Sequence, residues 1–352
     1  MNMNITNQFI ELVKIASPSG KEGSISLYIQ NWLMNHNFEF KIDSVGNIYA
    51  KNNKDGNPLL LCAHMDTVQP GENIHPIIKN GVIKSDGTTI LGADNKAALA
   101  AILCAIENVQ ADCAIELLFT VKEETGGGVE FFPFEWIKAK QALIFDSSNP
   151  LGGVVLGSPN IYNFHCVLSG KASHSSKPKK GLNAFVPAFN ALSQIQVGEL
   201  DGGETIINVG LIKGGVGINT IPDIIHISGE VRSYDKKLFL SHLKKIQKVF
   251  EAEAKKYQVK CSFSKDAYCA GYTFTKSDVF IKKIASIYKN EGLKTNYYEH
   301  SGISDANVLN QHGIKTVNLT DGAQFPHSKE EQIELINLNK LCEIIKKCII
   351  EL

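Results

Sequence analysis

Five short stretches of this 352-residue chain each end an apolar run on a side chain able to bind metal. They are His64 and Asp66 in LLLCAHMDTV, Asp94 in LGADNK, Glu123 and Glu124 in LLFTVKEETGG, Asp146 in ALIFDSS, and His327 in FPHSKEE. Two imidazoles and several carboxylates, placed where strands leave the core, could hold two divalent ions sharing one bridging carboxylate. One acid would remain free to act as a base. That chemistry is two-metal hydrolysis, in which paired ions acidify water and stabilise the charge that develops on oxygen.

Taken singly, each residue has a plainer explanation. A histidine after a strand can be a polar loop residue, and Asp66 a turn acid. Asp94 can cap the helix that follows it. Asp146 can be an ordinary strand-end acid, and Glu123 with Glu124 a solvated charge pair. Their joint placement argues for the sharper reading, because ligands of open α/β sheets gather beyond the carboxyl ends of the strands.

The surrounding pattern predicts such a sheet. ITNQFIELVKI and SISLYIQNWLMNH have helical spacing. NPLLLCAHMDTV is a continuous apolar run, as expected of a strand buried on both faces. DNKAALAAILCAIENV is apolar nearly all round and predicts a buried helix with Asp94 at its start, while AIELLFTVKEE and ALIFDSS are further strands. This alternation predicts an α/β domain, a mostly parallel mixed sheet flanked by helices.

From about Ile161 the strands IYNFHCVLSGK, TIINVGLIKGG and DIIHISGEVRSYD carry one polar face. The amphipathic helices LNAFVPAFNALSQI and LFLSHLKKIQKVFEAEAKKY interleave with them. That order predicts a ferredoxin-like α+β unit. After about Lys265 the buried style returns with DVFIKKIASIYKNEG, GIKTVNLTDG and LNKLCEIIKKCIIEL. The expected organisation is a catalytic domain made of 1–160 and 268–352, with 161–267 inserted as a separate unit. TIINVGLI should then lie outside the sheet that holds LLLCAHMD.

Lys plus Arg equals Asp plus Glu at 36 each, so nothing in the charge favours nucleic acid or an anionic membrane. No uninterrupted apolar stretch nears the roughly 20 residues of a membrane span. The N-terminal segment lacks a basic run followed by a long apolar one, so no secretion signal is expected. The eight cysteines are scattered with no CxxC pair, several within apolar runs. They read as free thiols in a reducing cytoplasm.

HMDTV, GADNKAALAAIL, TVKEETGG, FDSS, SGKASHS, GGVGINTIPD, GEVRS, and the late SGISDAN and PHS together resemble the co-catalytic zinc exopeptidases. That family includes peptidase T, the glutamate-releasing carboxypeptidases and the aminoacylases. The resemblance runs in order from about residue 7 to the closing helix and is nearest to the peptidase T-like branch. It implies that Asp94 bridges two metals, with His64 and Asp146 completing one and Glu124 and His327 the other. Zn²⁺ suits such donors best, and Co²⁺ or Mn²⁺ would also fit. Asp66 would accept a hydrogen bond from His64 and orient it. Glu123 would be the general base, separated from Glu124 because a strand alternates its faces.

In the insert, the resemblance makes His174 an oxyanion donor supplied by a partner subunit. It makes Asn219 and Arg232 clamps on a substrate carboxylate or carbonyl. It also implies a cis peptide after Asp94. Two positions bear on the comparison. Asp146 stands where the family varies between Asp and Glu, and Asp fits the aminopeptidase-like branch. Pro326 before His327 fixes a dihedral angle and removes a donor, so that loop is expected to differ locally. The implied protein is a cytoplasmic homodimeric exopeptidase acting on short peptides, with no nucleic-acid or membrane partner. An amidohydrolase of the same fold and a metal-free binding protein are the alternatives.

Overall fold

The computed structural model describes residues 4–109, 113–300 and 302–352; Ser301 of the SGISDAN motif lies outside them. The chain divides into two compact units, Met1–Leu156 with Phe274–Leu352, and Gly157–Thr273.

The first unit is built on a mixed sheet. Along it run Glu39–Ile42, Ile48–Lys51, Ile115–Thr120, Leu59–His64, Gln141–Ser147, Lys315–Thr320 and Gly153–Ser158. The four strands from Ile115–Thr120 to Lys315–Thr320 are parallel, and the flanking pairs are antiparallel. Leu59–His64 and Ile115–Thr120 are buried along their whole length, as a parallel strand covered on both faces requires.

The helix Ala93–Asn108 packs against the His64 and Asp146 strands and against the helices Ile5–Lys14 and Leu335–Glu351. Its alanines 97, 98, 100, 101 and 105 are all fully buried. Small side chains let the backbone approach closely on every side, which explains its all-round apolar pattern. Lys96 is buried too and donates its ammonium to the Ile15 carbonyl at 2.7 Å; burial lowers its pKa to about 7.

Two parts of this unit carry patterns too short to be read. They are the antiparallel pair Glu39–Ile42 with Ile48–Lys51, and a four-stranded sheet of Ala323–Gln324, Gln332–Glu334, Val82–Lys84 and Ile77–Lys79. Strands of two to four residues leave no measurable alternation.

The second unit has a five-stranded antiparallel sheet ordered Gly198–Leu200, Thr205–Gly214, Ile224–Ser233, Asn160–Ser169, Lys260–Cys269. Apart from the short edge strand, this is the ferredoxin-like order. Helices Phe185–Leu192 and Lys236–Lys256 cover one face over a core that includes Phe164, Leu168, Phe239, Leu243 and Phe250. TIINVGLI lies in this sheet and not in the one holding His64. The unit is wider than 161–267 because ladder pairing continues to Ile161 opposite Cys269.

Both tryptophans, Trp32 and Trp136, lie in the first unit, so their fluorescence follows its unfolding. Phe119 and Ala101 are fully buried in its core. Phe119→Ala should cost about 3–5 kcal/mol, and Ala101→Leu about 1–3 kcal/mol through overpacking. Both are read from urea midpoints at constant slope.

Candidate metal centre

His64 closes its strand level with Thr120 on one side. On the other, the register Cys62 opposite Ile144 carries it to the level of Asp146. Parallel strands therefore deliver these residues to one edge. The imidazole Nδ1–H donates to the Asp66 carbonyl at 2.9 Å. That leaves Nε2 to face Asp94 Oδ1 at 3.1 Å and Asp146 Oδ1 at 3.7 Å, the tautomer a metal ligand needs.

Asp146 sits at a β-bulge. The pairing of its strand with Lys315–Thr320 slips so that Leu319 faces Phe145 and Thr320 faces Ser147. The skipped residue's backbone is held by Asn318, whose Oδ1 accepts from Asp146 N at 3.0 Å and whose Nδ2 donates to Asp146 O at 3.0 Å. A bulge re-aims the side chain it carries.

Asp94 is no helix cap. It has φ −79° and ψ 106° inside the first turn, the cap position belongs to Gly92 at φ 72°, and the Asp94–Asn95 peptide is cis. The turn is gripped by Glu331, a fully buried carboxylate. It accepts from Leu91 N at 2.8 Å, Gly92 N at 2.7 Å and Asp94 N at 3.0 Å. Burial raises the Glu331 pKa to about 7 against the pull of those three donors.

Glu123 and Glu124 are not strand residues, so alternation of strand faces does not separate them. The strand ends at Thr120, Lys122 takes a left-handed φ of 56°, and Glu123–Thr125 form a 3-10 turn. Asp66 organises that turn. Its carboxylate accepts from Glu123 N at 3.0 Å, Glu124 N at 3.2 Å and Ser19 Oγ at 2.6 Å. It lies 3.5 Å from His64 Nδ1, whose shorter partner is the Asp66 carbonyl. The expected carboxylate–imidazole bond is thus displaced by the backbone, and Asp66 acts mainly on the glutamates. The glycines that follow serve the same turn: a Cβ at Gly128 would collide with the Val121 carbonyl.

His327, in a loop at φ 60°, points Nε2 at Glu124 Oε1, 2.9 Å away, and at Asp94 Oδ2, 3.4 Å away. The two oxygens of Asp94 therefore face different histidines. Ligand atoms of His64, Asp94 and Glu124 lie within 4.8 Å of one another, as do those of His64, Glu123 and Asp146. Asp94, Glu123, Glu124, Asp146 and His327 line a pocket of about 180 Å³.

The electrostatics fit cations. Burial would raise the pKa of Asp94, but hydrogen bonds from His327 and His64 hold it below the usual carboxylate range. Burial and the neighbouring Asp94 push Asp146 up to about 7. Burial and Asp146 raise Glu123 well above its ordinary value. His327 is pushed up to about 10 by Asp94 and Glu124. Four carboxylates so close to two imidazoles repel one another unless positive charge lies between them. The donor set of imidazole and carboxylate is that of Zn²⁺, Co²⁺ or Mn²⁺.

In the second unit, the bridge pairing His174 with Thr220 sets His174 beside Asn219. The Asn219 carbonyl accepts from Ser175 N at 2.8 Å, and both side chains are exposed. Arg232 lies toward the far end of the strand Ile224–Ser233. Its Nε and Nη2 bind the two oxygens of Glu230 at 2.8 and 3.1 Å.

A model of the peptidase dimerisation domain matches residues 156–258. The aminopeptidase PepT from Bacillus cereus is 32% identical, covering 99% of this chain and 97% of its own, with a TM-score of 0.92. A tripeptidase from Staphylococcus aureus is 30% identical over 99% and 98%, also with a TM-score of 0.92. The protein YqjE of Bacillus subtilis is 30% identical over 97% of this chain and 96% of its own.

The chain belongs to the M20 peptidase family. It is a metallopeptidase of the peptidase T type, and so a hydrolase. Sequence reasoning missed Glu331 and Asn318. Glu331 ends the quoted FPHSKEE run, four residues past His327, and Asn318 is a polar residue inside the apolar strand GIKTVNLTDG. An amide side chain in the middle of a buried strand is the signal that could have found it.

Asp66→Ala would strip an acceptor from Glu123 N, Glu124 N and Ser19. The expected outcome is a metal affinity lowered about 10- to 100-fold with unchanged circular dichroism. Competition against a chromogenic chelator measures it.

Proposed function

We propose that this M20 peptidase is a two-metal aminopeptidase that releases the N-terminal residue of short peptides, tripeptides foremost. The observation that carries the reading is Asp94, whose two oxygens face His64 and His327 separately. It is supported by the near full-length likeness to PepT and tripeptidase structures.

His64 and Asp146 would hold one ion and Glu124 and His327 the other, with Asp94 between them; Zn²⁺ is the expected metal. When bound, such ions would acidify the attacking water and polarise the scissile carbonyl. Glu123 takes the water's proton and hands it to the leaving amine. Its raised affinity for a proton, caused by burial and Asp146, suits a group that must hold one between the two transfers. Asp66 keeps Glu123 and Glu124 in one turn, so that base and ligand are positioned together.

His174, Asn219 and Arg232 are the proposed substrate contacts, and the unit Gly157–Thr273 the proposed lid and dimerisation element. A homodimer is supported by the dimerisation-domain match and by apolar side chains in that unit at high exposure, among them Phe189, Leu211, Val216 and Ile218. Free thiols throughout favour the cytoplasm. Among the described residues, no helix is long and apolar enough to cross a membrane.

Glu123→Gln should keep both metals and lower kcat by at least about 10². Glu124→Gln should instead lose one metal equivalent by elemental analysis. The converse pattern would exchange their roles. Chelation should abolish hydrolysis of a tripeptide panel and added Zn²⁺, Co²⁺ or Mn²⁺ restore it, with N-acyl amino acids cleaved poorly. Preferred cleavage of N-acyl substrates would point to the amidohydrolases instead.

His174→Ala and Glu123→Gln proteins are each expected to be nearly inactive. After subunit exchange, mixed dimers should regain part of the activity, since one site per dimer has both residues. Persistent inactivity would show that His174 does not act across subunits.

A further inference from the structure

The pocket contains a carboxylate that no step above uses. Asp321 follows the strand Lys315–Thr320 and lines the same cavity as Asp94, Glu123, Glu124 and Asp146. Its residue is 1% exposed, so what surface it keeps opens into that cavity. Two bonds fix it: its backbone N–H donates to the Ser147 carbonyl at 3.2 Å, and its Oδ1 accepts from Ala323 N at 3.0 Å. Its other oxygen, Oδ2, has no hydrogen-bond partner among the described residues. Asp321 is also outside both groups of side chains close enough to share an ion.

A carboxylate oxygen that lines a cavity and has no protein donor is free to accept from a ligand that enters there. Burial, reinforced by Asp94 and Asp146, raises the Asp321 pKa well above the usual carboxylate range. The same crowding of acids around the cavity favours a cationic donor over an uncharged one.

We propose that Asp321 is the specificity residue that receives the free α-ammonium group of the peptide substrate. The inference rests on the aminopeptidase reading and adds what distinguishes it chemically. A carboxypeptidase or aminoacylase substrate presents an acylated nitrogen at that end, with no charge to satisfy Oδ2. An α-ammonium offers three donors and a positive charge, and charge-assisted hydrogen bonds of this kind are the strong ones. Asp321 does not touch the scissile bond, so its contribution falls on substrate binding and orientation.

The test compares trialanine with N-acetyl-trialanine, using the metal-loaded wild-type protein and Asp321→Asn. Asn is nearly isosteric and its oxygen can still accept from Ala323 N. The wild type should favour the free peptide. In the variant, kcat/KM for trialanine should fall about 10- to 100-fold, mainly through KM. The slow rate on N-acetyl-trialanine should stay within about twofold and the metal content should not change, so the preference for a free amine collapses.

Asp321→Ser, smaller and also able to accept from Ala323, gives the same reading should the Asn variant not fold. An unchanged preference, an equal loss on both peptides, or loss of a metal ion would each overturn the proposal. A wild-type protein that cleaves neither peptide from its N-terminus would instead sink the aminopeptidase reading on which it stands.

Discussion

Asp94 sits between two histidines that come from distant parts of the chain. His64 closes a central strand, whereas His327 lies in a loop far along the chain, and each faces its own oxygen of the one carboxylate. That division is what would let one side chain serve the two proposed cations. It depends on a backbone conformation an ordinary helix start would not supply. The fully buried Glu331 imposes it by collecting three successive donors of the turn before the helix. Glu331 is only four residues from His327. One loop thus brings both a proposed ligand and the anchor of the proposed bridging carboxylate, so displacement of that loop would disturb both at once.

The remaining acids are placed by equally local devices on a shared parallel sheet. Parallel strands end together, which brings His64, Thr120 and Asp146 to one level. A bulge held by Asn318 turns Asp146 inward. A turn held by Asp66 carries Glu123 and Glu124. In each case a buried polar side chain bonds backbone groups that the ladder or helix has left free. Buried polar groups of this kind cost energy unless fully paired. Here the pairing both satisfies them and sets the direction of a functional side chain.

The second unit obeys different physics. Its sheet is antiparallel, covered by helices on one face only, and the other face carries His165, Ser228, Glu230 and Arg232. One covered face and one open face give the alternating strands seen from residue 160 onward. The bidentate pairing of Arg232 with Glu230 means that a substrate carboxylate would have to compete with an existing partner.

The amino-acid order by itself determined the sheet-and-helix alternation, the separate character of the second unit and the types of donor available. Apolar runs such as LLLCAH and the Ala-rich helix are long enough for periodicity to decide their state. The roles within the centre were less legible. Glu123 and Glu124 look like strand residues until the left-handed Lys122 ends that geometry. Asp66 looks like the partner of His64 until its own carbonyl takes the imidazole proton. Glu331, Asn318 and Asp321 have no local pattern, because the groups they meet include residues more than a hundred positions away. Short-range spacing records which residues a helix or strand must bury. Only tertiary folding decides which distant backbone groups a buried carboxylate or amide will meet, and so which way the proposed metal ligands point.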